Sequence, residues 1–130
     1  YMNMKPNAVA WFEIYVHEMP RARKFYETVL GTTLSHLPSP NEGDGGEMWA
    51  FPFENEAPNA SGALVKHPMG QPSATGTLVY FGCEDCANEL SRVEAAGGKV
   101  NAPKFSIGEF GFIGIASDTE GNTIGFYSLK

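Results

Sequence analysis

Glu13 is the one charged residue in the run Val9-Ala10-Trp11-Phe12-Glu13-Ile14-Tyr15-Val16, and in an extended strand it shares a face with Trp11 and Tyr15. A carboxylate desolvated between two aromatics has its pKa raised unless a donor pairs it, which is how a general acid or base is brought near neutrality. The same group could recognise a ligand, or be structural, held by tyrosine hydroxyls or backbone amides as buried polar groups usually are. Ligand recognition is preferred over proton transfer, with Glu13 as the one candidate catalytic residue. Cys83 and Cys86 form a C-x-x-C, which reads as two reduced thiols at a strand-to-helix junction, because His17, His36 and His67 stand at no metal-ligand spacing from the pair. No G-x-S-x-G elbow is present, and no phosphate-cradling glycine loop leads into a helix, so nucleophilic and nucleotide chemistry find no support.

A net charge of -6 and a pI near 4.9 exclude nucleic acid and anionic membrane as partners, since both require a cationic face. A small neutral or cationic molecule suits the charge. No stretch has the ~18 apolar residues that span a bilayer, and residues 1 to 10 lack the charged-then-apolar order of a signal peptide, so the expected location is cytoplasmic.

The elements that position these residues follow from their patterns. The first strand is two-faced, with Phe12, Ile14 and Val16 opposite Trp11, Glu13 and Tyr15. Pro20 suits the first turn of a helix to Leu30, in which Ala22, Phe25, Tyr26, Val29 and Leu30 recur at helical spacing and Gly31 is the stop. The solvated face of that helix is assigned Arg21, Arg23 and Lys24. Thr77 to Phe81 is a second strand of the same kind, followed by an Asp85-capped helix from Cys86 to Ala96 and by Gly97-Gly98. Setting Gly31 on Gly98, an offset of 67, also brings Phe12 onto Val79, Glu13 onto Tyr80 and Glu18 onto Asp85. One register aligns strand, helix start and helix end, the signature of a duplication.

Three strand-like runs follow each helix. They are Thr32 to Leu37, Glu47 to Phe53 and Gly62 to Lys66 in the first half, and Lys99 to Phe105, Phe110 to Ala116 and Thr123 to Leu129 in the second. The chain therefore reads as α+β, with a βαβββ module over 1–67, a linker over 68–75 and a second βαβββ module over 76–130. Trp49 and Phe51 share a strand face that is assigned to a ligand-binding surface, with Met48, Ala50 and Pro52 turned to the helices. Tyr80 and Tyr127 are assigned to the ligand surface too, and Phe110 with Phe112 to that surface or to the core.

Two tandem βαβββ modules, the opening Phe12-Glu13-Ile14-Tyr15-Val16 through Arg21 to Gly31, and the closing Asp118-Thr119-Glu120-Gly121-Asn122 resemble the vicinal oxygen chelate superfamily. That group includes glyoxalase I, extradiol dioxygenases, methylmalonyl-CoA epimerase, fosfomycin resistance enzymes and bleomycin-binding proteins. The resemblance implies strongly curved mixed sheets forming a cup, with the helices on the outer face. It also implies a divalent metal held by one His, Gln or Glu from each of four strands. Carried over by position, those ligands fall on Trp11, Leu78, Gly125 and a residue between Gly62 and Val65, none of which offers a side-chain oxygen or nitrogen donor suited to the task. The expectation is a metal-independent, cofactor-free protein that binds a small aromatic or cationic molecule in a cup lined by Trp11, Glu13, Tyr15, Trp49, Phe51, Tyr80, Phe110 and Tyr127. The resemblance further implies a homodimer. The alternatives are a glyoxalase-type lyase or isomerase with a displaced metal or with Glu13 as base, and a partner-binding module whose cup is filled by its own side chains.

Overall fold

The computed structural model describes residues 9–38 and 45–130. The duplication is the architecture. In the first half β1 (Trp11–Tyr15) leads into α1 (Met19–Leu30), then β2 (Ser35–Leu37), β3 (Glu47–Ala50) and β4 (Ser61–Lys66). In the second, β5 (Val79–Gly82) leads into α2 (Cys86–Val93), then β6 (Lys99–Ser106), β7 (Phe112–Ser117) and β8 (Thr123–Ser128). Each half is one four-stranded mixed sheet, ordered β1-β4-β3-β2 and β5-β8-β7-β6, with the first strand parallel to the last. The sheets are not closed on one another, so β1 and β5 are both edge strands. Among the described residues no helix is long and apolar enough to cross a membrane.

The alternation expected of β1 sets the layers. Ile14 is buried and pairs across the ladder with fully buried Leu64, whereas Glu13, one residue away, is exposed. Under the helices Phe12, Tyr26, Phe51 and Phe81 stack with centroids 5.7 to 6.0 Å apart, spacings typical of tilted and edge-to-face rings. The two halves thus share one aromatic core, with Phe12 of β1 edge-on to Phe81 of β5. Helix α1 buries Ala22, Phe25, Tyr26 and Val29 and stops at Gly31, whose φ of 64° is left-handed and free of Cβ strain.

The helix starts differ. Asp85 caps α2 by accepting from Ala87 N at 3.0 Å, as its sequence implies. Glu18 stands at the N-cap of α1 and makes no such bond. The missing acceptor comes from the other half of the chain: Glu120 Oε1 accepts from His17 N at 2.8 Å and Glu18 N at 2.9 Å, while Arg21 binds both carboxylate oxygens at 2.7 and 3.0 Å. Arg21, expected on the solvated face, is therefore half of a bidentate ion pair whose carboxylate is wholly covered. Burial alone would raise the Glu120 pKa, but the Arg21 guanidinium, the two amides and the Thr119 hydroxyl hold it down to about 2. The same pair raises that of Arg21.

The rest of the turn completes a latch. Asp118 accepts from the buried Tyr26 hydroxyl at 2.6 Å and from the amides of Glu120 and Asn122. Asn122 donates to the Tyr15 carbonyl and accepts from Ser73 N. Burial, then the Asp118 charge, pushes the Tyr26 phenol well above its ordinary value. A turn that reads as a simple hairpin joins the last strand to β1, to α1 and to the inter-module segment.

Candidate functional site

An open groove of about 2150 Å³ runs along the edge strands β1 and β5 and is bordered by both of their faces, by helix-side residues such as Phe12 and Phe81 as well as by the row turned away from the helices. On β1 the groove is lined by Trp11, Glu13 and Tyr15, the row read from the sequence. Trp11 Nε1 donates to Glu13 Oε2 at 3.3 Å, and the Tyr15 hydroxyl donates to Oε1 at 3.4 Å. Both bonds are long, and Glu13 stays exposed. Tyr15 is fixed from behind by the inter-module segment: a Cβ on Gly70 would lie 2.0 Å from its Cδ1, so only glycine lets that chain pass.

The opposite wall brings Leu78, just ahead of β5, and Tyr80 of β5 together with Tyr127 from β8. Register relates the walls, for Tyr80 pairs with Gly125 as Glu13 pairs with Ala63. Ala63 is therefore the first-half counterpart of Gly125, and by this register the fourth position inferred from the resemblance falls on it. The four positions are then Trp11, Ala63, Leu78 and Gly125, and they do not fit a metal of the expected kind, lacking any carboxylate, amide or imidazole donor. Geometry reinforces the chemistry at Gly125, where a Cβ would lie 2.3 Å from Tyr80 Cδ1. The Tyr80 ring lies over the backbone where a glutamate side chain would have to leave it. Among the described residues no three His, Cys, Asp or Glu side chains come together as a metal site.

Three assignments change. Trp49 is on the other face of its sheet: its strand neighbour is core residue Leu64, and its ring lies 3.4 Å from the Arg23 guanidinium carbon of α1, with His36 edge-on and Glu47 accepting its N–H at 2.9 Å. The row opposite, Met48 and Ala50, is the one turned from the helices. Phe51 follows Trp49 and is buried in the aromatic core, bordering the groove only from within. Phe110 belongs to a short 3-10 turn, Gly108–Phe110, bounded by Gly108 (φ 77°) and Gly111 (φ 118°), so it shares no strand face with Phe112. It is 67% exposed outside the groove, and its carbonyl accepts from the Tyr127 hydroxyl at 2.5 Å.

The groove also gathers acids to which the sequence reading assigned no role, Glu84 and Glu89, against one ammonium, Lys130. Cys83 lies beside Glu89 of α2 on the helix side of the sheet, half-buried; burial, then the Glu89 charge, pushes its thiol up to about 12. Cys86 is buried at the start of α2, where its amide donates to Ser128 Oγ, and both cysteines are free.

Residues 8–126 match the family model of the Glyoxalase/Bleomycin resistance protein/Dioxygenase superfamily. Among curated proteins, CFP32 of Mycobacterium bovis, which carries a provisional glyoxylase name, is 26% identical over the whole of this chain. The chain spans about half of that relative, 48% of its length. Among solved structures, a glyoxylase/bleomycin resistance protein/dioxygenase domain from Frankia sp. EAN1pec superposes with TM-score 0.69 at 16% identity, covering 97% of this chain and 100% of that one. TnmS3, an antibiotic binding protein from Streptomyces sp. CB03234, superposes with TM-score 0.60 at 22% identity, covering 98% and 100%.

Proposed function

Because this chain belongs to the glyoxalase/bleomycin resistance protein/dioxygenase superfamily, we propose that it works as a metal-independent binder, holding a small molecule with an aromatic or cationic part in the groove between β1 and β5. The observation that carries this reading is the Tyr80 ring lying over Gly125, which gives an inferred metal-ligand position to an aromatic surface. A strand glycine costs conformational entropy, and here it makes room for a ring, a trade that serves stacking and not coordination. Trp11, 39% exposed, and Tyr80, 44% exposed, offer ring faces to a ligand. TnmS3, of the same fold, is described as binding an antibiotic, so sequestration of a drug or metabolite is a role this architecture serves.

Glu13 is exposed and held by two neighbouring donors, the setting of a recognition group more than of a desolvated base. Val9, Leu78 and Leu129 leave much apolar surface exposed along the rim, and a second copy of the chain is the natural cover for it. Elemental analysis of protein purified without chelator tests the reading. Substoichiometric metal is expected, together with thermal stabilisation by ring-bearing compounds; stoichiometric nickel, zinc, iron or manganese would overturn it.

A further inference from the structure

We infer that the cup selects organic cations, with Glu13 pairing a protonated amine or guanidinium whose apolar body lies against Trp11 and Tyr80. This rests on the reading of the cup as a ligand site and goes beyond it in choosing the ligand's charge. Three carboxylates line the groove, and two already have cations: Glu89 pairs with Arg92 at 3.7 Å and Glu84 with Lys130 at 3.9 Å. Glu13 forms no ion pair with any described residue. It is the uncompensated charge on the wall of a chain whose net charge is -6.

The surroundings of Glu13 suit an organic cation better than a metal ion or a neutral donor. A carboxylate offers about four lone-pair sites. The indole N–H and the phenol O–H occupy two, at 3.3 and 3.4 Å, and so orient the group without neutralising it. An ammonium or guanidinium can take the others in charge-assisted bonds, and the faces of Trp11 and Tyr80 attract positive charge through the ring quadrupole. A hard divalent ion wants six or more oxygens, which no group of described side chains supplies. An anionic ligand would meet a like charge at the same place.

Three probes of one shape, phenethylamine, 2-phenylethanol and phenylacetate, isolate the charge. The protein supplies its own control, because it has two tryptophans, Trp11 in the groove and Trp49 against Arg23 on the other face. Titration is followed by the two indole N–H resonances in a proton–nitrogen correlation spectrum, assigned with Trp11→Phe. The amine is expected to shift Trp11 and not Trp49, with an affinity about tenfold above that of the alcohol, as one charge-assisted bond provides. Phenylacetate is expected to bind more weakly than either. Glu13→Gln is expected to bring the amine down to the level of the alcohol. Equal shifts of Trp11 by amine and alcohol, or an amine preference that survives Glu13→Gln, would overturn the inference and leave the cup as a ligand site. No shift of Trp11 by any probe would overturn the ligand-site reading and this inference with it.

Discussion

Replacing Glu120 by glutamine removes the charge that joins the closing turn to the start of α1 while keeping nearly the same shape. Its pKa of about 2, against an ordinary 4.5, means that the unfolded chain takes up a proton before the folded one does. Ionised Glu120 therefore stabilises the fold above about pH 4.5, and that contribution is lost as pH falls through 4.5 towards 2. The difference converts to about 3 kcal/mol. Arg21 is 47% exposed, and solvent screening of its side of the pair brings the expected value to about 2 kcal/mol. Glutamine also turns an amide N–H₂ towards donors, His17 N and Glu18 N or Arg21, so relaxation does not restore the bonds. Urea unfolding followed by circular dichroism, at pH values from 7 down to 3, is the assay. Wild type is expected to exceed Glu120→Gln by about 2 kcal/mol at pH 7, with the gap closing towards pH 3. A gap that is absent, or constant across the range, would refute the argument that this carboxylate is ionised and paired.

Two further outcomes follow from the walls of the groove. Gly125→Ala puts a methyl carbon 2.3 Å from Tyr80 Cδ1, so the ring must swing into solvent; Tyr80 ring signals should move, with about 1 kcal/mol of lost packing, and an unmoved ring would refute the contact. Cys83, held at about 12 against an ordinary 9.0, should react with a disulfide reagent at pH 8 about fortyfold more slowly than in the unfolded chain, the lower thiolate fraction being partly offset by the greater nucleophilicity of a more basic thiolate, and a fast native thiol would show that burial and Glu89 do not act on it as described.

Much of the architecture was legible in the sequence because it is carried by local periodicity. The two-faced β1, the helical spacing of Ala22, Phe25, Tyr26 and Val29, the Asp85 cap and the repeat that links them all recur in the fold. What the pattern could not assign was which side of a strand faces which layer. The strand β3 is partly buried along its whole length, so alternation says only that Trp49 and Met48 differ, and the decision falls to Arg23, a residue of another element. Phe110 was misplaced for a different reason: two left-handed glycines turn the chain into a 3-10 turn ahead of β7. The role of Glu120 lay further out of reach, since its partners stand 99 to 103 residues away. The one local hint was a helix start at Glu18 with no cap of its own.

The latch has a bearing on the groove that its own bonds do not reveal. The two walls belong to opposite halves of the chain, one carried on β1 and the other on β5, and neither edge strand is laddered to the other. Asn122 leaves the end of one wall to bind the Tyr15 carbonyl of the other, and Glu120 anchors the same turn to the helix behind it. These contacts act as a spacer that sets the distance across the groove. The separation of the two walls is thus tied to a turn that lies beside the groove and shares none of the aromatic side chains that line it.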